Sequence, residues 1–492
     1  MIRLAERVEP RAAVAALVAL PLAIAIGVAT SARPDAWILI ASPLAIAALW
    51  ISPYFRLGFV VLVGVIVLGP PEFTTTKLFY LGGLLVAAVA AAQSLLVRER
   101  VLPKEIVRLI GLSALGAVLL GLPATFRLAS GTDPASVLRD LAPYLLLAVA
   151  PVFAIDAAAH LSLDRLAVIA ATGLAFGSAA FLLSWSIRRG ILVDQSATII
   201  FGGFFMPVAL LILSAVCFTE DRLSRRPLWL VLAGLAAATA IVTGTRSFLL
   251  EIPAVLVAVV ITGPTVSLRI RRVVLVATVV AISGALLASL TVAVIGLNVQ
   301  SIVDRWSLVA SAMGDPAGDA SLAMRAAQTD TTWHLFLSSP IFGVATGLPS
   351  VASGGYVSDT PIALLAGYGL AGLAAVLAFM LGWIGLVWRG LGAKWPRATM
   401  IGMLVAVVTY SLILPIVQDK GLGFAFLLAG APVIRTLLES SADAREPEAG
   451  QGAFGVHTIA PPFASVRSGS GPSRENRAGF GFPGKADMHR GG

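Results

Sequence analysis

The sequence predicts an all-α, polytopic integral membrane bundle with about 12–14 transmembrane helices and one large folded extracytoplasmic loop. Three observations predict it. Apolar residues make up 58% of the 492-residue chain and charged residues only 12%, against about 45–50% and about 25% in soluble domains. The apolar residues gather in runs near the ~20 residues that a helix needs to cross a bilayer. Lys and Arg stand in short clusters between those runs. This balance excludes an ordinary cytosolic enzyme and a disordered chain. It also excludes a nucleic-acid binder, although the formal charge is +9 and the pI near 10.2, because such proteins collect their basic residues on one face or stripe.

Candidate spans run in order over 12–30, 36–51, 57–70, 77–97, 109–124, 141–159, 167–186, 198–218, 228–243, 248–263, 273–297, 360–388, 398–417 and 421–438. The second and third are short, and Pro70-Pro71 ends the third abruptly, so twelve or thirteen crossings also fit. The first run is not read as a secretory signal: no small-residue cleavage site is evident and further spans follow at once. The single cysteine, Cys217, excludes an intrachain disulfide or a CxxC site. It falls in an apolar run and reads as a buried, inert thiol.

Positive residues concentrate in cytoplasmic loops. With the N-terminus inside, the inner segments hold eighteen Lys and Arg, among them Arg56, Lys104, Arg108 and Arg165. The outer segments hold ten: Arg33, Lys77, Arg127, Arg139, Arg188, Arg189, Arg246, Arg305, Arg325 and Lys420. Both termini are therefore expected in the cytoplasm. From Glu439 onward the chain is rich in Gly, Ser, Pro and balanced charge, which reads as a disordered tail over 439–492. The transmembrane domain is 1–438.

One long loop interrupts the bundle, at 298–359, and a structureless loop of that length is unusual. Ile302, Val303, Trp306, Val309, Ala310 and Met313 recur at helical spacing, as in an amphipathic helix on the membrane surface. A second helix is expected between Ser321, as N-cap, and Pro340, carrying Arg325, Trp333 and His334. The run Pro340-Ile341-Phe342-Gly343-Val344-Ala345-Thr346-Gly347 reads as a turn that brings backbone close to a ligand or helix. The small residues in Gly367-Tyr368-Gly369-Leu370-Ala371-Gly372 read as close helix packing.

Ten outward cations exceed what the orientation rule favours, so some are candidates for chemistry. Arg246 lies in the tight connection Thr243-Gly244-Thr245-Arg246-Ser247, where a rigid guanidinium can bind phosphate bidentately. The competing reading is an interfacial arginine that reaches headgroups or pairs with Glu251. Arg188-Arg189-Gly190 forms a second outer basic pair, with Asp194 as a potential partner, and Arg325 is a third point. Asp359, in Ser358-Asp359-Thr360-Pro361, reads either as a helix cap or as a carboxylate that takes a proton from an incoming hydroxyl. Asp156, inside a span near its inner end, carries less weight. Asp315 and Asp319 read as turn residues, since no third ligand accompanies them.

This ordered set resembles the O-antigen ligase and O-antigen polymerase superfamily of bacterial envelopes. It runs from the Arg-Gly loop through the Thr-Gly-Thr-Arg-Ser turn and the large loop with Arg325 and Pro340-Ile341-Phe342-Gly343. A polar residue before a Gly-Leu-x-Gly span closes it. The resemblance covers roughly residues 180–380. It implies a metal-independent membrane glycosyltransferase without cofactor. Such an enzyme sits in the bacterial inner (cytoplasmic) membrane and moves a glycan from undecaprenyl pyrophosphate to a sugar hydroxyl of a glycan or glycolipid acceptor at its outer face. Membrane lipids and other polysaccharide-assembly proteins are its implied partners, and nucleic acid is not. Carried onto this chain, Arg246 matches the turn arginine, Arg325 the large-loop arginine, and Arg188 or Arg189 that of the earlier loop. Ligases place a histidine where this chain has Asp359, and the chain reads Asp194-Gln195-Ser196-Ala197 where Pro-Asn is usual. Both departures favour a polymerase, or a ligase-like transferase of exopolysaccharide synthesis. The alternative class is a polysaccharide transporter or lipid-linked oligosaccharide flippase. Those place substrate groups near the midplane and often show internal repeats, of which the sequence shows no clear case.

Overall fold

A computed structural model describes residues 45–68, 75–96, 102–191, 203–220, 226–243, 251–262, 265–295, 320–344, 361–389, 394–413 and 416–443, with a few positions between 300 and 307. Among them every regular element is helical. The helices are α1 (Ala45–Ile51), α2 (Pro53–Leu68), α3 (Thr75–Leu96), α4 (Lys104–Ala129), α5 (Pro134–His160), α6 (Leu163–Ile191) and α7 (Phe205–Thr219). They continue with α8 (Arg226–Thr243), α9 (Glu251–Thr262), α10 (Val266–Ile295), α11 (Ala320–Ser338), α12 (Ala363–Arg389), α13 (Lys394–Ser411) and α14 (Lys420–Asp443).

The protein is a multi-pass membrane helical bundle. Seven described helices are long and apolar enough to cross a bilayer: α3, α4, α5, α6, α10, α12 and α14. The pair α1–α2 passes the same test as one element bent by 116°. The shorter apolar helices α7, α8 and α9 fall at the expected spans 198–218, 228–243 and 248–263. The expected first span, 12–30, lies outside the described residues, as does the tail from 444. Helix α14 runs to Asp443, a turn past the expected boundary at Glu439, and Arg435 Nε donates to Glu439 Oε1 at 2.7 Å across that turn.

The centre of the bundle is α5, α7, α13 and α14. Nearly every residue of α7 is buried, Cys217 included, as its unbroken apolar run requires. Helix α5 packs along α14, and α4 along α12, where Gly116 abuts the ring of Phe379 closely enough that a Cβ there would overlap it. Helix α10 packs mainly on α8. It exposes Ile270, Val274, Ile282, Leu286 and Leu290, a surface suited to hydrocarbon rather than water.

The bend between α1 and α2 is written in Ser52-Pro53. Ser52 Oγ accepts from Phe55 N at 3.2 Å as N-cap, and Pro53 takes the first helical position. Arg56 then closes the break. Its Nη1 donates to the carbonyls of Leu49 and Trp50 at 3.0 and 3.1 Å, and its Nε and Nη2 fork onto Asp156 at 2.9 Å each. Asp156 also accepts from Ser94 Oγ at 2.8 Å. Arg56 and Asp156 are both 2% exposed, so the ion pair has its remaining hydrogen-bonding capacity met inside the bundle. The low weight given to Asp156 as a reactive group is consistent with this structural role.

Three local readings are corrected. Helix α11 starts at Ala320, which puts Ser321 inside its first turn rather than at its cap. Helix α6 continues unbroken to Ile191, so Arg188-Arg189-Gly190 is its last turn and not a loop. The glycines of 367–372 do more than pack. Helix α12 breaks at Gly369, whose φ of 63° and ψ of −159° interrupt the helical run.

Candidate functional site

Among the described residues, cations expected outside and cations expected inside stand at opposite ends of the bundle. Lys77 opens α3, Arg127 closes α4, Arg139 opens α5 and Lys420 opens α14. At the other end stand Arg56, Lys104, Arg108 and Arg165. Three of the first group converge: Lys77, Arg139 and Lys420 line one recess together with Leu68, Leu81 and Ala142. Lys420 Nζ donates to the carbonyl of Leu68, the last residue of α2, as a lysine near a helix C-terminus does. Arg139 pairs with Asp140 at 2.9 Å.

The long loop docks at this same end. Helix α11 ends at Ser338, and the chain turns back with Gly343 N donating to Ser339 O at 2.8 Å. The segment Pro340–Val344 then lies on the break in α12. Leu370 N donates to Pro340 O at 2.8 Å and Ala371 N to Ile341 O at 3.1 Å, so loop carbonyls cap the second half of the broken helix. Val344 N donates to Ala366 O at 2.8 Å on the first half. Both backbones approach so closely that only glycine fits. A Cβ on Gly343, at φ 73°, would stand 2.5 Å from the backbone of Gly367, and one on Gly369 would overlap the carbonyl of Ile341. The expectation that Pro340–Gly347 brings backbone close to another helix holds for its described part.

Arg127 sits where loop and break meet. It is 1% exposed, its Nη2 donates to Val344 O at 3.1 Å, and its guanidinium lies 4.3 Å above the ring of Tyr368, a cation–π contact. Tyr144 of α5 packs edge-on against Tyr368 at 4.9 Å, and Phe126 stacks on Phe342 at 5.6 Å. Asp140 and Arg139 are within Coulombic reach of Tyr368, which joins the two parts of the site.

Asp419 ties further helices to this end. In the turn before α14 it accepts from Gly421 N at 2.5 Å and from Phe205 N at 3.0 Å, which caps α14 and α7 together. Burial pushes its carboxyl up to about 7, against the lowering effect of those amides. At the exposed turn before α5, the amide of Ser136 holds Asp133 below its ordinary value. Elsewhere in the bundle, the buried Glu251 at the start of α9 lies 3.4 Å from Tyr410 Oη.

Of the residues chosen from sequence, Arg325 is half-buried on α11, and it makes no ion pair or hydrogen bond to another described residue. It lies one turn before Gln328 and two before Thr332, which are buried and give the covered face of α11 a polar character. His334 is exposed and 3.8 Å from Asp330 on the solvent side of the same helix. Arg188 and Arg189 are placed in α6 by backbone alone, while Arg246 and Asp359 lie outside the described residues. Trp306 Nε1 donates to Ile241 O at 3.1 Å, so the first half of the loop also touches the bundle, at α8. Sequence reasoning counted Lys77, Arg127, Arg139 and Lys420 as outward cations but assigned them no role. Their excess over the orientation rule was the available signal.

Among the described residues, no three His, Cys, Asp or Glu side chains gather in a way that could hold a metal ion. The cations are the main polar groups at this end, and what they can do is hold a negatively charged group and stabilise charge that develops on it. Comparison with family models, with curated proteins and with solved structures gives no match to this chain.

Proposed function

We propose that the protein is a polysaccharide polymerase- or ligase-like glycosyltransferase of the bacterial inner membrane, acting at its outer face on a glycan linked to undecaprenyl pyrophosphate. One observation carries this reading. Cations that open or close four different helices collect at one end of the bundle, where the long loop docks through Pro340–Val344. The ordered motifs that resemble O-antigen polymerases and ligases support it from the sequence side.

In the reaction, the acceptor hydroxyl oxygen forms a bond to the anomeric carbon of the donor glycan. The bond from that carbon to the pyrophosphate oxygen breaks, and its electron pair leaves with the pyrophosphate. Arg246, Arg325 and the Arg188–Arg189 pair serve to hold the leaving group as its charge builds, which fixed guanidiniums do well in a partly dry site. Asp359 receives the hydroxyl proton. Both termini are cytoplasmic in this reading.

The test uses the protein in lipid nanodiscs with lipid-linked repeat units from the native host, and reads product chain length. Lengthened glycans from wild type, with loss of activity in Arg246→Lys and Asp359→Ala, would support the assignment. Near-wild-type transfer by Arg246→Lys would remove the guanidinium fork from the mechanism. A second reading draws on the break at Gly369, because broken helices also build transporter sites. Movement of the lipid across the bilayer without any transfer would move the protein to the flippase class.

A further inference from the structure

The described part of α1 is short, apolar and sharply turned. Ala45–Ile51 extends about 10 Å at the helical rise, against a hydrocarbon core of about 30 Å. Its axis turns by 116° into α2. That is more than a right angle, so with α2 along the bilayer normal α1 lies about 26° from the membrane plane. The usual tilt of a membrane helix, about 20°, does not stand it upright.

The turn is locked by side chains rather than left as a hinge. Arg56 Nη1 takes the carbonyls of Leu49 and Trp50 at the end of α1, and Asp156 holds the other two nitrogens of the same guanidinium. Ser52 N donates to Ala48 O at 3.0 Å, while Ser52 Oγ caps α2. A helix break at membrane depth has no water to satisfy its backbone and needs partners of this kind. The break is therefore equipped to sit below the headgroups.

The surface at the turn is graded. Leu49 is buried in the bundle core, whereas Ile46 and Trp50 are exposed and Ile51 is 80% exposed. No residue of α1 carries a charge, and so apolar a face is unsuited to water. Just past the bend, Tyr54 is exposed and its hydroxyl accepts from Arg165 Nη1 at 2.9 Å. The patch passes from isoleucine through tryptophan and tyrosine to an exposed guanidinium. A bilayer passes in the same order from acyl chains through the aromatic belt to phosphates, which an arginine complements in charge. Farther along, α2 exposes Leu62 and Ile66, so the apolar surface continues along the lipid-facing side of the bundle.

We propose that α1 lies flat in the boundary between headgroups and acyl chains of one leaflet, at the end of the bundle where Arg56 and Arg165 stand, and does not cross the membrane. Its exposed face is an interaction surface for that leaflet, and it fixes the depth of this end of the bundle. The expected span 36–51 then contributes no crossing. This inference goes beyond the proposed function and does not rest on it.

The experiment measures depth by electron paramagnetic resonance on the full chain in nanodiscs of phosphatidylcholine and phosphatidylglycerol. A nitroxide is attached to Ile46→Cys or Ile51→Cys. Lys104→Cys is the water-side marker at the same end, and Ile282→Cys, within the span Ser267–Leu290, is the deep marker. All four positions are exposed, so the bundle tolerates the label, and wild type gives the background from the buried Cys217. Oxygen reports contact with lipid and a nickel chelate contact with water. Both α1 labels are expected between the two markers, open to oxygen, and about 3 Å apart in depth; an upright helix would separate them by about 7–8 Å, the rise over five residues. A label on Ile46→Cys as deep as that on Ile282→Cys overturns the proposal, because α1 then stands within the bilayer. Nickel access equal to that of Lys104→Cys overturns it in favour of a water-exposed helix. Labels closed to both reagents overturn it in favour of a protein cover, such as a second copy of the chain.

Discussion

Gly343→Ala should release the loop from the bundle, and the size of the effect follows from the geometry. The docked segment Pro340–Val344 is held by the amides of Val344, Leu370 and Ala371 and by Arg127 Nη2. Four such bonds contribute about 0.5–1.5 kcal/mol each, or about 2–6 kcal/mol together. An alanine at a φ of 73° costs about 1–2 kcal/mol for the left-handed backbone. Its Cβ would also stand 2.5 Å from the backbone of Gly367, which cannot swing aside as a side chain could, and overpacking adds about 1–3 kcal/mol. Cost and docking energy are therefore of one size. The segment should leave the α12 break without unfolding the bundle. Hydrogen exchange in micelles reads this directly: the amides of Leu370 and Ala371 lose protection while those of α5 and α14 keep theirs. Gly385→Ala is the control, because nothing lies within 4 Å of that position and helical alanine gains about 0.4–1 kcal/mol through the unfolded state. Wild-type exchange at Leu370 and Ala371 in Gly343→Ala would refute the account of the break as a backbone-to-backbone dock.

Other consequences are as specific. Asp156→Ala and Arg56→Met should each destabilise by about 3–5 kcal/mol, since either leaves a buried charge alone. The double variant should cost about 1–3 kcal/mol, for the two carbonyls of Leu49 and Trp50 that lose their donor; single costs that simply add in thermal unfolding would argue against the pair. Asp419, pushed up to about 7 by burial, binds more protons folded than unfolded between its ordinary value of about 4 and 7. Its contribution is full below that window and lost as pH rises through it. Unfolding temperatures should fall across the window in wild type and fall less in Asp419→Ala, and a parallel slope in both would discard this assignment. Asp359→Asn should lower glycan transfer by about a hundredfold or more with polyprenyl-phosphate binding unchanged; equal turnover would remove it as the base.

The bundle was legible because its signal is redundant. Each span repeats the same apolar run, and the alternation of Lys and Arg along the chain is enough to assign Lys77, Arg127, Arg139 and Lys420 to one end. The bend at Ser52-Pro53 was also written locally, in a capping residue followed by proline, although the sequence reading separated the two pieces as spans. What could not be read was pairing across distance. Arg56 and Asp156 are 100 positions apart, and nothing in either neighbourhood selects the other. The same holds for Gly343 and Gly369. Each was noticed as a small residue, but the reason for each is the backbone of the other's segment.

That difference decides how the outward cations should be weighed. A count of ten against the orientation rule treats them as equals. Burial and partners divide them. Lys420 caps α2 through Leu68, and Arg139 is matched by Asp140. Those two have structural reasons to be where they are, and their positive charge is partly spent. Arg127 is the most deeply buried arginine of the outer group whose side chain is described, and it keeps two nitrogens without an acceptor among the described residues. A bundle selected for stability alone would replace such a group with an apolar side chain at little cost. Its presence at the junction of loop and broken helix is therefore the strongest physical reason to look for the chemistry at this end.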